Sequence, residues 1–226
     1  MLLLSLVPLA MMLTACGGPQ IVQTSSPVGP GAAQDRFFTA LTALCGRAFS
    51  GKLVTNESAD ADMADKAMVM HVSDCSDSEI RIPFHIRTGK GDAADGEEAA
   101  WDRSRTWVIT RTDTGLRLKH DHRHKDGTAD AVTQYGGDSI HQSAATSKSV
   151  PFGAQRIEFP VDAESIVTFR ANGLGRSVTN IWALELSATA FAYELRRHGE
   201  NARHFRVEFD LTQAVPPPPP AWGQPD

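Results

Sequence analysis

From Lys52 onward, apolar and polar residues alternate along the chain with a period of two. Ile80, Ile82, Phe84 and Ile86 share one side of an extended segment, opposite Arg81, His85 and Arg87. Phe205, Val207, Phe209 and Leu211 stand in the same way opposite His204, Arg206, Glu208 and Asp210. Successive side chains of a strand point to opposite faces, so the rhythm is that of antiparallel strands with one face on a core and the other polar. It predicts strands over Lys52–Asn56, Met68–Asp74, Glu79–Arg87, Thr106–Thr112, Leu116–Lys125, Ala131–Tyr135, Arg156–Val161, Val178–Leu186, Phe191–Arg197 and His204–Thr212. Before them, Phe38, Leu41, Leu44 and Ala48 recur at helical spacing, which predicts a helix over Asp35–Phe49 ending at Gly46 or Gly51.

Asp113-Thr114-Gly115 and Asp126-Gly127 fit short hairpin loops, and His198–Arg203 fits a longer one. Gly136-Gly137 reads as a turn or bulge. Strands do not alternate with long helices, which argues against a parallel α/β sheet. About ten strands in a meander need edge protection, and closure provides it. The expected fold is mainly β: one antiparallel up-and-down barrel of about 8–10 strands with an N-terminal helix. A two-sheet sandwich is the alternative. The helix before the first strand and the Gly51 start of that strand are similar to lipocalin and calycin barrels, a likeness of fold alone. Three segments break the pattern: an acidic loop over Gly89–Ala100, a Ser/Ala/Thr-rich stretch over Asp138–Gly153, and Ala163–Phe169, which suits a short helix or a strand.

The first thirteen residues are an apolar run, too short for the roughly 20 residues of a spanning helix. The run ends in Leu13-Thr14-Ala15-Cys16. A branched apolar residue, two small residues and a cysteine resemble the lipobox of bacterial lipoproteins. The run departs from the usual export signal in having no Lys or Arg before Cys16. The resemblance implies cleavage before Cys16, a diacylglycerol on its sulfur and a further acyl chain such as palmitate on the new N-terminus. Gly17, where Asp would favour the inner membrane, implies an outer-membrane protein facing the periplasm in a Gram-negative host. The chain thus divides into a signal peptide (1–15), a Gly/Pro/Ser/Gln-rich flexible tether (16–34), a β-rich domain (35–213) and a disordered proline-rich tail (214–226). Five prolines at 216–220 give that tail an extended form with no core to join.

Composition adds little except by exclusion. The formal charge of −5 offers no global attraction for nucleic acid or for an anionic bilayer, so any membrane attachment belongs to the lipid. Of three cysteines, lipidation of Cys16 leaves Cys45 and Cys75 as the one pair able to bridge, which an envelope compartment permits. Two buried free thiols are the alternative.

The chemistry-bearing run is Leu116–Gly127. On a strand, Leu116, Leu118, His120, His122 and His124 share one side, with same-side residues about 6.8 Å apart. Three readings stay open, the plainest being solvated or structural histidines on a strand that runs toward the Asp126-Gly127 turn. The histidines could line a ligand cavity whose walls include Leu118, Trp107, Trp182 and Tyr193. Alternatively, His120, His122 and His124 could tilt toward a divalent metal, with His71, His85, His141 or Glu185 as further donors. The run lacks the Asp and final His of the His-x-His-x-Asp-His pattern of metallo-hydrolases. No Gly-x-Ser-x-Gly elbow, phosphate-binding glycine loop or Cys-x-x-Cys is present, which leans away from an enzyme. The leading expectation is a lipid-anchored binding module for a small, partly apolar ligand. The alternatives are a structural protein that docks an envelope partner, through its outer surface or its proline tail, and a metal-binding protein.

Overall fold

The computed structural model describes residues 31–88, 101–140 and 154–224. Cys16, its apolar leader, most of the tether, the acidic loop and His141 lie outside them. Helix α1 (Ala32–Thr42) precedes a meander of β1 (Ala48–Leu53), β2 (Met68–His71), β3 (Asp74–Cys75), β4 (Glu79–Arg87), β5 (Trp101–Thr112), β6 (Gly115–His122) and β7 (Tyr135–Asp138). After β8 (Gln155–Pro160) comes helix α2 (Ala163–Ala171), and β9 (Ile181–Leu186), β10 (Ala190–Arg197) and β11 (Arg203–Val215) complete the sheet.

All strand pairs are antiparallel, in the order β7-β6-β5-β4-β2-β1-β11-β10-β9-β8, with the short β3 continuing along β4. Every neighbour in that order except β1–β11 and β2–β4 is consecutive in sequence, so the chain winds up and down around one axis. The last two edges, β7 and β8, meet through Asp162 N–H to the Gly136 carbonyl (2.9 Å) and Ile140 N–H to the Glu158 carbonyl (3.1 Å). The result is a nearly closed antiparallel ten-strand barrel, consistent with a calycin-like fold. One continuous sheet replaces the sandwich alternative.

Closure depends on two glycines. A Cβ on Gly136 would lie 1.8 Å from the Leu118 carbonyl oxygen of β6, and a Cβ on Gly137 would lie 1.8 Å from the Pro160 carbonyl oxygen of β8. Both obstacles are backbone and cannot rotate away. The pair therefore stands in β7 as the tightest point of the seam, where the sequence suggested a turn. Ser165 of α2 locks it, accepting from Gly136 N–H (2.8 Å) and donating to the Gly136 carbonyl (3.2 Å). Gly51 has a related role: the Phe209 ring of β11 lies where its Cβ would be.

The inward faces carry Ile80, Ile82, Trp107, Ile109, Leu118, Phe159, Trp182, Leu184, Phe191, Val207 and Phe209, all essentially inaccessible. Helix α1 plugs one end with Phe37, Phe38 and Leu41. Burying each of those side chains contributes about 1.5–3 kcal/mol. Arg111 at the end of β5 pins the plug by pairing with Asp35 and lying 4.2 Å over the Phe38 ring. A Cys45–Cys75 disulfide joins the loop after α1 to β3.

Helix α1 begins three residues earlier than expected and stops at Thr42, because residues from Ala48 pair with both β2 and β11. Ala163–Ala171 is a helix, capped by the Asp162 carboxylate accepting from Ser165 N–H (2.8 Å). The proline segment, expected to find no core, lies along the outside of β4 and β5. His85 Nε2 donates to the Pro219 carbonyl (2.9 Å), Arg103 donates to the Pro220 carbonyl (3.1 Å) and Trp222 N–H donates to the Arg103 carbonyl (3.1 Å). Proline retains its acceptor when it loses its donor, so the tail still binds through backbone oxygens.

Two stability effects follow. Gly137→Ala is expected to lower unfolding free energy by about 2 kcal/mol through overpacking at the seam; a urea midpoint unchanged from wild type would show that β7 and β8 do not close. Replacing Cys45 and Cys75 by serine opens a link spanning 30 residues. Loss of about 2–4 kcal/mol is expected in the same measurement.

Candidate functional site

The end of the barrel opposite α1 is not filled. A cavity of about 180 Å³ opens there, walled by residues of β4, β5, β6, β7, β10 and β11 and by Met63 from the strap between β1 and β2. Beneath it three rings stack across the lumen. Trp107 of β5 lies 4.9 Å from Phe84 on β4 and 4.5 Å from Tyr193 on β10, nearly parallel to both. Strands β5 and β10 are not neighbours in the sheet. The Trp107–Tyr193 contact therefore spans the interior and forms a rigid floor.

The histidine row runs from that floor to solvent. His120 is almost wholly buried, with Nδ1 3.0 Å from the Tyr135 carbonyl oxygen and Nε2 2.8 Å from the Tyr193 hydroxyl. A carbonyl can only accept, so Nδ1 carries the proton and Nε2 accepts from Tyr193. Burial lowers the pKa of this imidazole to about 3, and the ring is neutral at ordinary pH. His122 is half-buried, with Nε2 3.1 Å from the Tyr135 hydroxyl. Burial and then the nearby Arg105 charge bring its pKa down to about 4. His124 lies beyond the strand in the exposed Asp126-Gly127 turn.

The structure does not gather His120, His122 and His124 into one donor set. Both nitrogens of His120 are engaged by tyrosines, and His124 is exposed beyond the end of the strand. Among the described residues no group of three His, Cys, Asp or Glu side chains is arranged to hold an ion. His71 and His85 lie on the other side of the wall, near the proline segment, and Glu185 is taken by Arg156 and Arg206 on the outer surface.

Of the residues expected to line a ligand site, His120, His122, Trp107 and Tyr193 border this cavity. Leu118 and Trp182 do not. Both are core residues below the cavity, Trp182 supporting His120 with ring centroids 5.1 Å apart. The alternation did not single out Phe84, Tyr135 or Arg203, which also line the cavity. Arg105 and His122 are directly paired across β5 and β6. An inward arginine breaks the apolar alternation that identifies strands, so the expected strand begins after Arg105 although β5 starts at Trp101.

The strap is fastened across the cavity's rim. Arg203 donates from Nη1 to Glu57 (2.7 Å) and to Asp60 (2.5 Å), and from Nη2 to the other Asp60 oxygen. Asp60 is buried. Glu57 also accepts from His204 N–H (2.6 Å). Met63, at the end of the same short helical turn, is thereby held against the cavity.

No known family, curated protein or solved structure matches this chain.

The neutral histidines have a measurable consequence. The unfolded chain takes up protons as pH falls below 6.5, while folded His122 refuses them until about pH 4. Stability must therefore fall as pH drops through that window, by up to roughly 3 kcal/mol for this one group. Urea midpoints at pH 7 and pH 4.5 should converge in His122→Asn relative to wild type. A pH slope unaltered by the substitution would assign the acid sensitivity elsewhere.

Proposed function

We propose that the chain is a lipid-anchored envelope protein whose barrel is a non-catalytic binding module for a small, partly apolar ligand. The observation that carries this reading is the cavity. It is open at one end, floored by stacked aromatics and rimmed by a few polar groups, the usual composition of a ligand site. At about 180 Å³ it is smaller than most drug-binding pockets but resembles the roughly 150 Å³ cavity that takes up benzene in another protein. A ligand of one ring or a short branched chain fits that volume.

Anchoring is supported by Leu13-Thr14-Ala15-Cys16 and the polar tether that follows. Two acyl chains suffice for stable attachment, whereas one is marginal. Gly17 supports the outer membrane, facing the periplasm, in a Gram-negative host. The Cys45–Cys75 disulfide agrees with an oxidising compartment. The alternative, a protein that presents its proline tail to a partner, loses support from the docking of Pro219 and Pro220 against the chain's own sheet.

Native mass spectrometry of untagged protein taken from its own membrane tests both halves. The expected mass begins at Cys16, includes diacylglycerol and a further acyl chain, lacks two protons for the disulfide, and carries a non-covalent adduct of small-molecule size. An unacylated protein would remove the anchor. A lipidated protein without an adduct, even after incubation with envelope extract, would remove the binding module.

A further inference from the structure

We propose that the cavity selects ligands bearing a carboxylate, which seats against Arg105 while a single-ring apolar body rests on the aromatic floor. The inference rests on the binding-module reading and adds the chemical class of the ligand.

The cavity lining contains no acidic side chain. It holds two guanidinium groups, Arg105 and Arg203, among apolar residues, tyrosines and neutral histidines. The two arginines differ in what remains for a ligand. Arg203 has both terminal nitrogens committed to Asp60 and Glu57 in fastening the strap. Arg105 commits only Nη1, to Asp102 and to the Ser104 hydroxyl. Among the described residues, no acceptor meets its Nε or Nη2. A guanidinium presents its donors in a planar fork that matches a carboxylate, and a hydrogen bond between charged partners is roughly twice as strong as a neutral one.

Asp102 already occupies Arg105 Nη1, and the neighbour on the other side supplies a further donor rather than a second carboxylate. That neighbour is His122, whose Nε2 meets the Tyr135 hydroxyl. That leaves one of two hydrogens available, either on His122 Nδ1 or on the Tyr135 hydroxyl, according to the tautomer. Arg105 with this second donor forms a polar corner beside an apolar floor. The cavity volume leaves room for one ring and a substituent of carboxylate size.

The test uses matched probes on the full chain, benzoate against benzamide, which share a ring and differ in charge. Binding is read by calorimetry and by fluorescence of Trp107 and Trp182, which lie in and beneath the cavity. Benzoate is expected to bind about tenfold or more tightly than benzamide, as follows from one charged hydrogen-bonded pair. In Arg105→Gln the preference should vanish, because benzoate affinity falls toward that of benzamide. Arg105→Lys, which keeps the charge but not the fork, should retain part of it and serves if the glutamine variant folds poorly. Equal binding of the two probes to wild type would overturn the carboxylate class and leave the binding module standing. Failure of both probes to bind at millimolar concentration would overturn both.

Discussion

A meander of ten strands ends with two bare edges, and this molecule is organised by the way they are joined. Backbone groups at an edge are exposed hydrogen-bonding templates, so β7 and β8 must be paired or covered. They approach so closely that the Pro160 carbonyl of β8 would not tolerate a Cβ at Gly137, and on the other side of β7 the Leu118 carbonyl of β6 would not tolerate one at Gly136. The glycine pair weakens β7 as a strand, since glycine loses much conformational freedom when ordered. What restores the seam lies outside the sheet. Ser165 holds Gly136 from both sides, and the Asp162 carboxylate caps α2 while also receiving Lys119 of β6 at 2.7 Å. Helix α2 is thus a clasp, and its Phe169 packs against Tyr135 with ring centroids 5.2 Å apart. The clasp that closes the barrel therefore also positions a wall of the cavity.

Closure accounts for the grading of chemistry along the lumen. At one end α1 fills the barrel with phenylalanines and a leucine. In the middle, rings from opposite walls touch. At the other end the strap crosses without filling the space. Leu118, His120, His122 and His124 lie successively along that axis, from core to solvent. Their environments differ accordingly: Leu118 is packed, His120 is neutral and doubly hydrogen-bonded, His122 stands at the rim and His124 is solvated. The same residue type thus takes up three different conditions because depth changes by one strand repeat at each step.

Much of the fold was legible in the sequence because most inward positions obey strict alternation. Glu79–Arg87 is found at its expected bounds, and His120 and His122 point inward as their parity required. The failures share a cause. Tyr135-Gly-Gly-Asp has no apolar alternation, since its residues are chosen for close approach, so β7 was expected a few residues too early. Arg105 is polar on an apolar face, and the expected strand began after it at Thr106. The tail was read by side chains alone, although its attachment uses carbonyl oxygens. Its complement was already present on the outer face: His85 and Arg103 are donors on a wall that needed acceptors. Periodicity reports what each residue shares with its strand, and it is silent where a residue serves something across the barrel.

The outer wall is laced with ion pairs. On β8 to β11 it carries a network in which Arg156 bonds Glu185 and Glu194 (2.8 Å), and Arg206 bonds Glu185 (2.7 Å) and Glu194 (3.1 Å). These charges are well covered by one another. Burial alone would raise the Glu194 carboxyl, but hydrogen bonding and charge from Arg156, with the charge of Arg196, hold its pKa down to about 2. On β4 and β6, Arg81 and Arg123 bracket Asp121, each at 2.9 Å. A barrel that faces lipid needs an apolar outer band, and charged residues at its midplane cost about 2–4 kcal/mol each. This wall presents ion pairs instead, and among the described residues no helix is long and apolar enough to cross a membrane. Under the proposed reading, attachment falls wholly to acyl chains on Cys16. The tether then separates the work of holding the membrane from the work of holding a ligand, and leaves the open end of the barrel free to face water.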